Sequence, residues 1–292
     1  MGTSTSSSGP GAGVSLDPPW LDAPADGDAE DGTPQVDSDN AQTPDAAGNE
    51  TAGTEEVATE PASTVPAVAP PRRFSSARRA LGSFSRTGDT SKLGRALGHY
   101  AKTGMGGAGK AASRMRATTQ AGAGLFSLLQ QARDGTSESV TQWVESLLAT
   151  NPEPADIADA VLQTMALGDG SADDEALKDS MAQAFSELLA TQPDVDLVRM
   201  GNEDLWTLMQ YFLGNAVCSR ISFDMGQFFE SARLNPSVAV QRELEMREFV
   251  KNEVGVQLGK LRTTTSNPTR RQLDKILSDA LRLTFEVYEG MV

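Results

Sequence analysis

Residues 1–70 contain thirteen Asp or Glu and no Lys, Arg or His, and the composition inverts at Pro70-Pro71. From 71 to 133 the chain carries twelve Lys or Arg against one acid, Asp89. This break limits what each part can fold into. The first part holds nine of the fifteen prolines, and Trp20 is its only aromatic residue. So little apolar surface under uniform negative charge cannot offset chain entropy. The composition therefore predicts a disordered, acidic, Gly/Ser/Pro-rich tail over 1–70. About 220 residues remain, enough for one helical domain with a buried core.

The net charge of −15 hides three blocks. Residues 1–70 carry −13, residues 71–133 carry +11 and residues 134–292 carry −13. A low overall isoelectric point therefore does not exclude an anionic partner, because the basic charge is local. An internal alternative stays open, in which the basic segment docks on the acidic C-terminal half or on the tail. Cys218 is the single cysteine, so no intramolecular disulfide is possible, which fits a reducing compartment. Met1–Trp20 lacks the basic and apolar regions of a secretory signal. No apolar run approaches membrane-helix length. A cytoplasmic, non-membrane protein is expected.

After Phe74 the hydrophobic pattern is helical throughout, and the expected fold class is all-α. Phe74, Ala77 and Leu81 predict a short helix that Gly82 ends, and Thr87-Gly88-Asp89 reads as a turn. Leu93, Ala96, Leu97 and Tyr100 share a face of a helix over 91–102, which the run 104–109 breaks. A third helix is expected from Ala111 to about Arg133, which completes the basic segment 71–133. The acidic body 134–292 follows as capped amphipathic helices. Ser137, Ser171 and Asn202 read as caps. Gly168 closes the helix that starts at Ala155, and Asn235-Pro236 and Asn267-Pro268 each place proline at a first helical position.

Gly104-Met105-Gly106-Gly107-Ala108-Gly109-Lys110 matches the first seven positions of a phosphate-cradling loop. The next residue is Ala111, where the motif needs a hydroxyl for magnesium, and the preceding segment reads as helix rather than strand. Nucleotide hydrolysis is therefore not expected there, although the amides and Lys110 could still contact a phosphate or carboxylate. Arg72, Arg73, Arg78, Arg79, Arg86, Arg95 and Lys110 form the candidate anion- or partner-binding set, with Lys102, Arg114 and Arg116 beside them. Nucleic acid would use these residues for phosphate contacts. The only interleaved aromatics are Phe74, Phe84 and Tyr100, so an acidic protein surface is the preferred partner. His99 is the sole histidine and has no carboxylate near it in sequence. Cys218 follows an apolar helical face and reads as core. No catalytic residue, metal or cofactor is expected.

The amino terminus differs from the rest of the tail. A small residue at position 2 favours removal of Met1, which leaves an unhindered Gly2 amine. Met1-Gly2-Thr3-Ser4-Thr5-Ser6 also fits a loose myristoylation pattern. Farther on, Leu16, Pro18, Pro19, Trp20 and Leu21 put stiffened apolar anchors in a polar tail, the form of a short docking motif.

The Met-Gly-Thr-Ser-Thr-Ser start, the Pro-Pro-Trp string and the block Arg73-Phe74-x-x-Ala77-Arg78-x-x-Leu81-Gly82-x-Phe84 resemble the QatB family of the bacterial Qat anti-phage system. Gly88-Asp89 and Arg95-Ala96-Leu97-Gly98-His99-Tyr100 continue the resemblance, which covers about residues 1–22 and 72–130. It implies a cytoplasmic defence component encoded beside an ATPase, a QueC-like 7-deazapurine enzyme and a TatD-like nuclease. It also implies a role for Gly2 as the amine acceptor of the QueC-like enzyme, with Thr3–Gly13 threading its active site and Leu16–Leu21 docking on its surface. A bacterial setting argues against myristoylation.

Overall fold

A computed structural model describes residues 72–165, 172–226, 235–262 and 268–292, and every regular element among them is helical. The acidic tail 1–70 lies outside the described residues, and with it Gly2 and the 16–21 motif. So do Gly168, Ser171 and Asn267, which carried predicted caps and a closure.

Helix α1 (Ser75–Thr87) buries Ala77, Leu81 and Phe84. It runs through Gly82, where the sequence predicted a stop, and ends at Gly88. Gly88 has φ 68°, and its amide donates to the Phe84 carbonyl at 2.7 Å. The left-handed conformation is what stops the helix, and Gly82 has no reason to adopt it. Asp89 caps α2 (Thr90–His99) by accepting from the Ser91 amide at 2.9 Å. A five-residue π-helical turn, Tyr100–Gly104, then swings the chain into the glycine loop.

The long helix predicted from Ala111 is two helices, α3 (Ala108–Arg114) and α4 (Arg116–Asp134), which break at Met115. Helix α5 (Glu138–Leu148) packs on α4, and helix α6 (Pro154–Thr164) follows it and buries Ile157, Ala158 and Val161. Helix α5 buries no residue fully, and its Trp143, Val144 and Leu147 only lean on the core. Ser137 stands at its N-cap position without a side-chain capping bond. Proline at the first helical position starts α6 one residue earlier than predicted.

Helix α7 (Ala172–Thr191) lies against α8 (Asn202–Met225). Asn202 is the first residue of α8 rather than its cap; the Asp204 carboxylate instead accepts from the Gly201 amide at 3.1 Å. Helix α9 (Pro236–Arg262) presents Met246, Val250, Val254 and Leu258 to the core at four-residue intervals. Helix α10 (Arg270–Glu289) starts two residues after Pro268, because Thr269 and Gln272 form a reciprocal cap.

Helix α10 is the hub. It touches α2, α3, α4, α9 and the π-helical turn, and buries Leu273, Leu277, Ala280, Leu281, Thr284, Phe285 and Tyr288. Its approach to α2 is close enough that an ideal Cβ on Gly98 would lie 2.6 Å from the Tyr288 carbonyl oxygen. Lys251 on α9 meets Glu187 on α7 at 2.9 Å, and Asn215 on α8 donates to the same carboxylate at 3.1 Å. The described residues belong to one compact unit. The charge boundary at residue 133 falls inside α4, so the basic segment and the acidic body share one core.

Candidate functional site

The phosphate-loop-like string adopts a different structure. It follows a π-helical turn, with Gly106 at φ 79° and Gly107 at φ 109°, and leads directly into α3. The Ala108 amide, first in α3, donates to Glu289 Oε1 at 2.7 Å. A carboxylate does contact this loop, and it is the protein's own. Ala111 is fully buried where a magnesium-binding hydroxyl would be needed.

The basic residues divide by what they touch. Arg78 Nε donates to the Met225 carbonyl at 3.0 Å and its Nη2 to the Asp224 carbonyl at 3.4 Å, so Arg78 closes the end of α8. Arg73 lays its guanidinium over the Phe74 ring at 4.6 Å. Arg72, Arg79, Arg86, Arg95, Lys102, Lys110, Arg114 and Arg116 are exposed. Among the described residues, none of these eight forms an ion pair. Arg72, Arg79 and Arg86 recur every seven residues; Arg79 and Arg86 lie roughly 10 Å apart along α1, and Arg72 stands in the turn before it.

The acids of the C-terminal half are paired within that half instead. Examples are Arg220 with Asp224, Arg242 with Glu245, Lys251 with Glu187 and Lys275 with Asp279. Among the described residues the acidic half forms no ion pair with these eight cations; the tail, the other acidic candidate of the internal alternative, lies outside the described residues. The two parts meet through apolar packing and through hydrogen bonds from uncharged donors of the basic segment to carboxylates of the body. One is Thr119 Oγ1 donating to Asp274 Oδ1 at 2.6 Å.

One buried network had no counterpart in the sequence reading. The π-helical turn points Tyr100 inward, and its hydroxyl donates to Asp224 Oδ2 at 2.7 Å. Arg220 Nε donates to the same oxygen at 3.1 Å. The Asp224 side chain is only 4% exposed. Burial first, then the Asp224 carboxylate, push the Tyr100 hydroxyl well above its ordinary pKa. The four-residue spacing of Arg220 and Asp224 was a visible signal for half of this network. Tyr100, 124 residues away, was not.

His99 is half-buried at the end of α2. Cys218 is buried in the core as predicted, and desolvation pushes its thiol up to about 12. Among the described residues no group of three or more His, Cys, Asp or Glu is placed to hold a metal, and no helix is long and apolar enough to cross a membrane.

The described residues thus define a helical protein whose exposed cations between 72 and 116 form no ion pair among the described residues. The model of the family described as Qat anti-phage system associated protein QatB matches residues 106–288. The chain belongs to the QatB family and is a component of an anti-phage defence system. No curated protein and no solved structure matches it.

Proposed function

We propose that this chain is a non-enzymatic adaptor of its defence complex. The observation that supports this reading is the set of exposed arginines and lysines between 72 and 116, which pair with no carboxylate among the described residues. Such a set fits an acidic surface on another protein, with complementary charge steering the encounter. Partners within the Qat system, the ATPase and the QueC-like enzyme, are the first to test. The expected setting is the cytoplasm.

The same proposal gives Gly2 a chemical role. The bacterial QueC-like enzyme suggested by the QatB resemblance activates a 7-carboxy-deazapurine and condenses it with an amine. An α-amino group with pKa near 8 is partly neutral at cellular pH. Its nitrogen attacks the activated carboxyl carbon, an amide bond forms, the activating group departs with its electron pair, and the nitrogen releases a proton. Leu16, Pro18, Pro19, Trp20 and Leu21 then dock the tail on that enzyme. The test is the mass of the N-terminal peptide from protein made with and without its neighbouring genes. An added deazapurine-sized mass on Gly2, only with the neighbours, is expected; a free glycine in both preparations overturns the acceptor role.

The seven-residue recurrence of Arg72, Arg79 and Arg86 supports a second reading, nucleic-acid binding through residues 72–116. It requires affinity that falls steeply with salt. No binding in a filter assay at low salt excludes it.

A further inference from the structure

Where α3 gives way to α4, a cavity of about 70 Å³ opens between the start of α4 and the facing sides of α7 and α8. It is lined by Arg114, Thr118, Ser219 and Arg220, by the Asp173 carboxylate, and by apolar residues that include Leu177 and Ala216. We propose that this cavity binds a small organic phosphate, a phosphomonoester on an apolar or aromatic body.

Four features converge on an anion. Met115, at the N-cap position of α4, supplies no side-chain bond, so no side chain caps the amino-terminal end of this 19-residue helix. Thr118 lies in the first turn, is 6% exposed, lines the cavity and makes no hydrogen bond among the described residues. A helical threonine ordinarily bonds the carbonyl one turn back. Arg114, at the rim, has only the Met105 sulfur at 3.4 Å and no ion pair among the described residues. Arg220 is held by one edge, because the buried Asp224–Tyr100 pair fixes its Nε. Its other edge meets Asp173 loosely at 3.7 Å, and the Asp173 side chain is 71% exposed. A phosphate would take the Asp173 place with the bidentate geometry that guanidinium favours.

Size and surroundings select the kind of phosphate. A volume of about 70 Å³ is about two waters' share of liquid volume, room for one compact head group and no more. The apolar part of the lining is a poor host for a free, fully hydrated ion. Phe223 lines the cavity, 69% exposed, with the Arg220 guanidinium 5.9 Å from its ring centre. An exposed aromatic beside an anion pocket gives the ester's organic body a surface to stack on.

The test titrates the full chain with phenyl phosphate, inorganic phosphate and benzyl alcohol by calorimetry. Phenyl phosphate is expected to bind with Kd of about 0.1 mM, at least about tenfold tighter than either fragment. Thr118→Val keeps the shape and removes the hydroxyl. It and Arg114→Ala should each weaken binding about fivefold or more at unchanged melting temperature. Arg220→Lys should do the same through loss of the planar fork. Three results would overturn the proposal: no binding of phenyl phosphate, equal binding of all three probes, or binding that Thr118→Val and Arg114→Ala leave unchanged.

Discussion

The Ala108 amide and the Glu289 carboxylate meet at 2.7 Å, so the last turn of α10 caps the first turn of α3. The glycine loop needs Gly106 and Gly107 at positive φ to deliver that amide. Glu289→Ala should lower stability by about 1 kcal/mol, seen as a drop of about 2–4 °C in melting temperature. Glu289→Gln, which keeps an acceptor oxygen, should lose less. Equal melting of all three proteins would mean that the contact contributes nothing.

Two glycines of the same region should respond oppositely to alanine. At Gly98 the new Cβ meets the Tyr288 backbone oxygen, which cannot move without shifting α10. Gly98→Ala should cost about 1–3 kcal/mol. At Gly109, inside α3, nothing lies within 4 Å of the new Cβ. Gly109→Ala should be neutral or stabilising by up to about 1 kcal/mol. Denaturant midpoints measured side by side check both.

The Cys218 thiol should resist a disulfide reagent at pH 8 until the protein unfolds. Burial raises its folded-state pKa to about 12, whereas an unfolded thiol ionises near 8.5. Below about pH 8.5 both states are protonated and the group adds no pH dependence. Between that pH and about 12 the unfolded state loses its proton first, so stability should fall as pH rises. Cys218→Ala should flatten this part of the curve. Rapid modification of the native protein would contradict the burial.

Neutralising these exposed cations should separate binding from folding. Arg72, Arg79, Arg86 and Arg95 changed together to Gln should weaken capture by the system's own proteins, with little change in melting temperature. Surface charges with no partner contribute little to stability. Arg78→Ala should instead lower the melting temperature, because Arg78 bonds the end of α8. Undiminished capture by the quadruple variant, in a pull-down at moderate salt, would remove these cations from the mechanism.

The tail has its own test. Trp20→Ala should weaken tail-dependent association without altering the melting of the helical body. A residue inserted before Gly2 that retains Met1 should abolish phage protection. Full protection by the blocked protein would leave Gly2 without a role.

Periodicity placed most helices correctly, because burial of one face at three- and four-residue intervals is written in the residues themselves. It failed where a terminus depends on geometry. Gly82 and Gly88 are the same residue type, and only Gly88 turns left-handed. Met115 looks like a helix interior, yet its backbone leaves the helical conformation and α3 and α4 part there. The basic residues were legible as a set, but the structural duties of Arg78 and Arg73 were not, since each depends on what stands opposite. The N-terminal motifs suggested the family, whereas the matching family model covers 106–288 and so lies in the helical body. A helical core spreads its signature over many weakly constrained positions. The Tyr100–Asp224 pair was invisible because nothing local links a π-helical turn to the end of a helix 124 residues later.

The central place of α10 has a consequence for timing. In a chain made from its amino terminus, α1 and α2 can pair early, but α3 and the α10-facing side of α4 lack their partner until residues 270–289 have been synthesised. Gly2 and the string at 16–21 are synthesised long before that last helix. Any modification of the terminus therefore has a head start on the folding of the body it belongs to. The order in which the two are engaged can be set by the ribosome as much as by affinity.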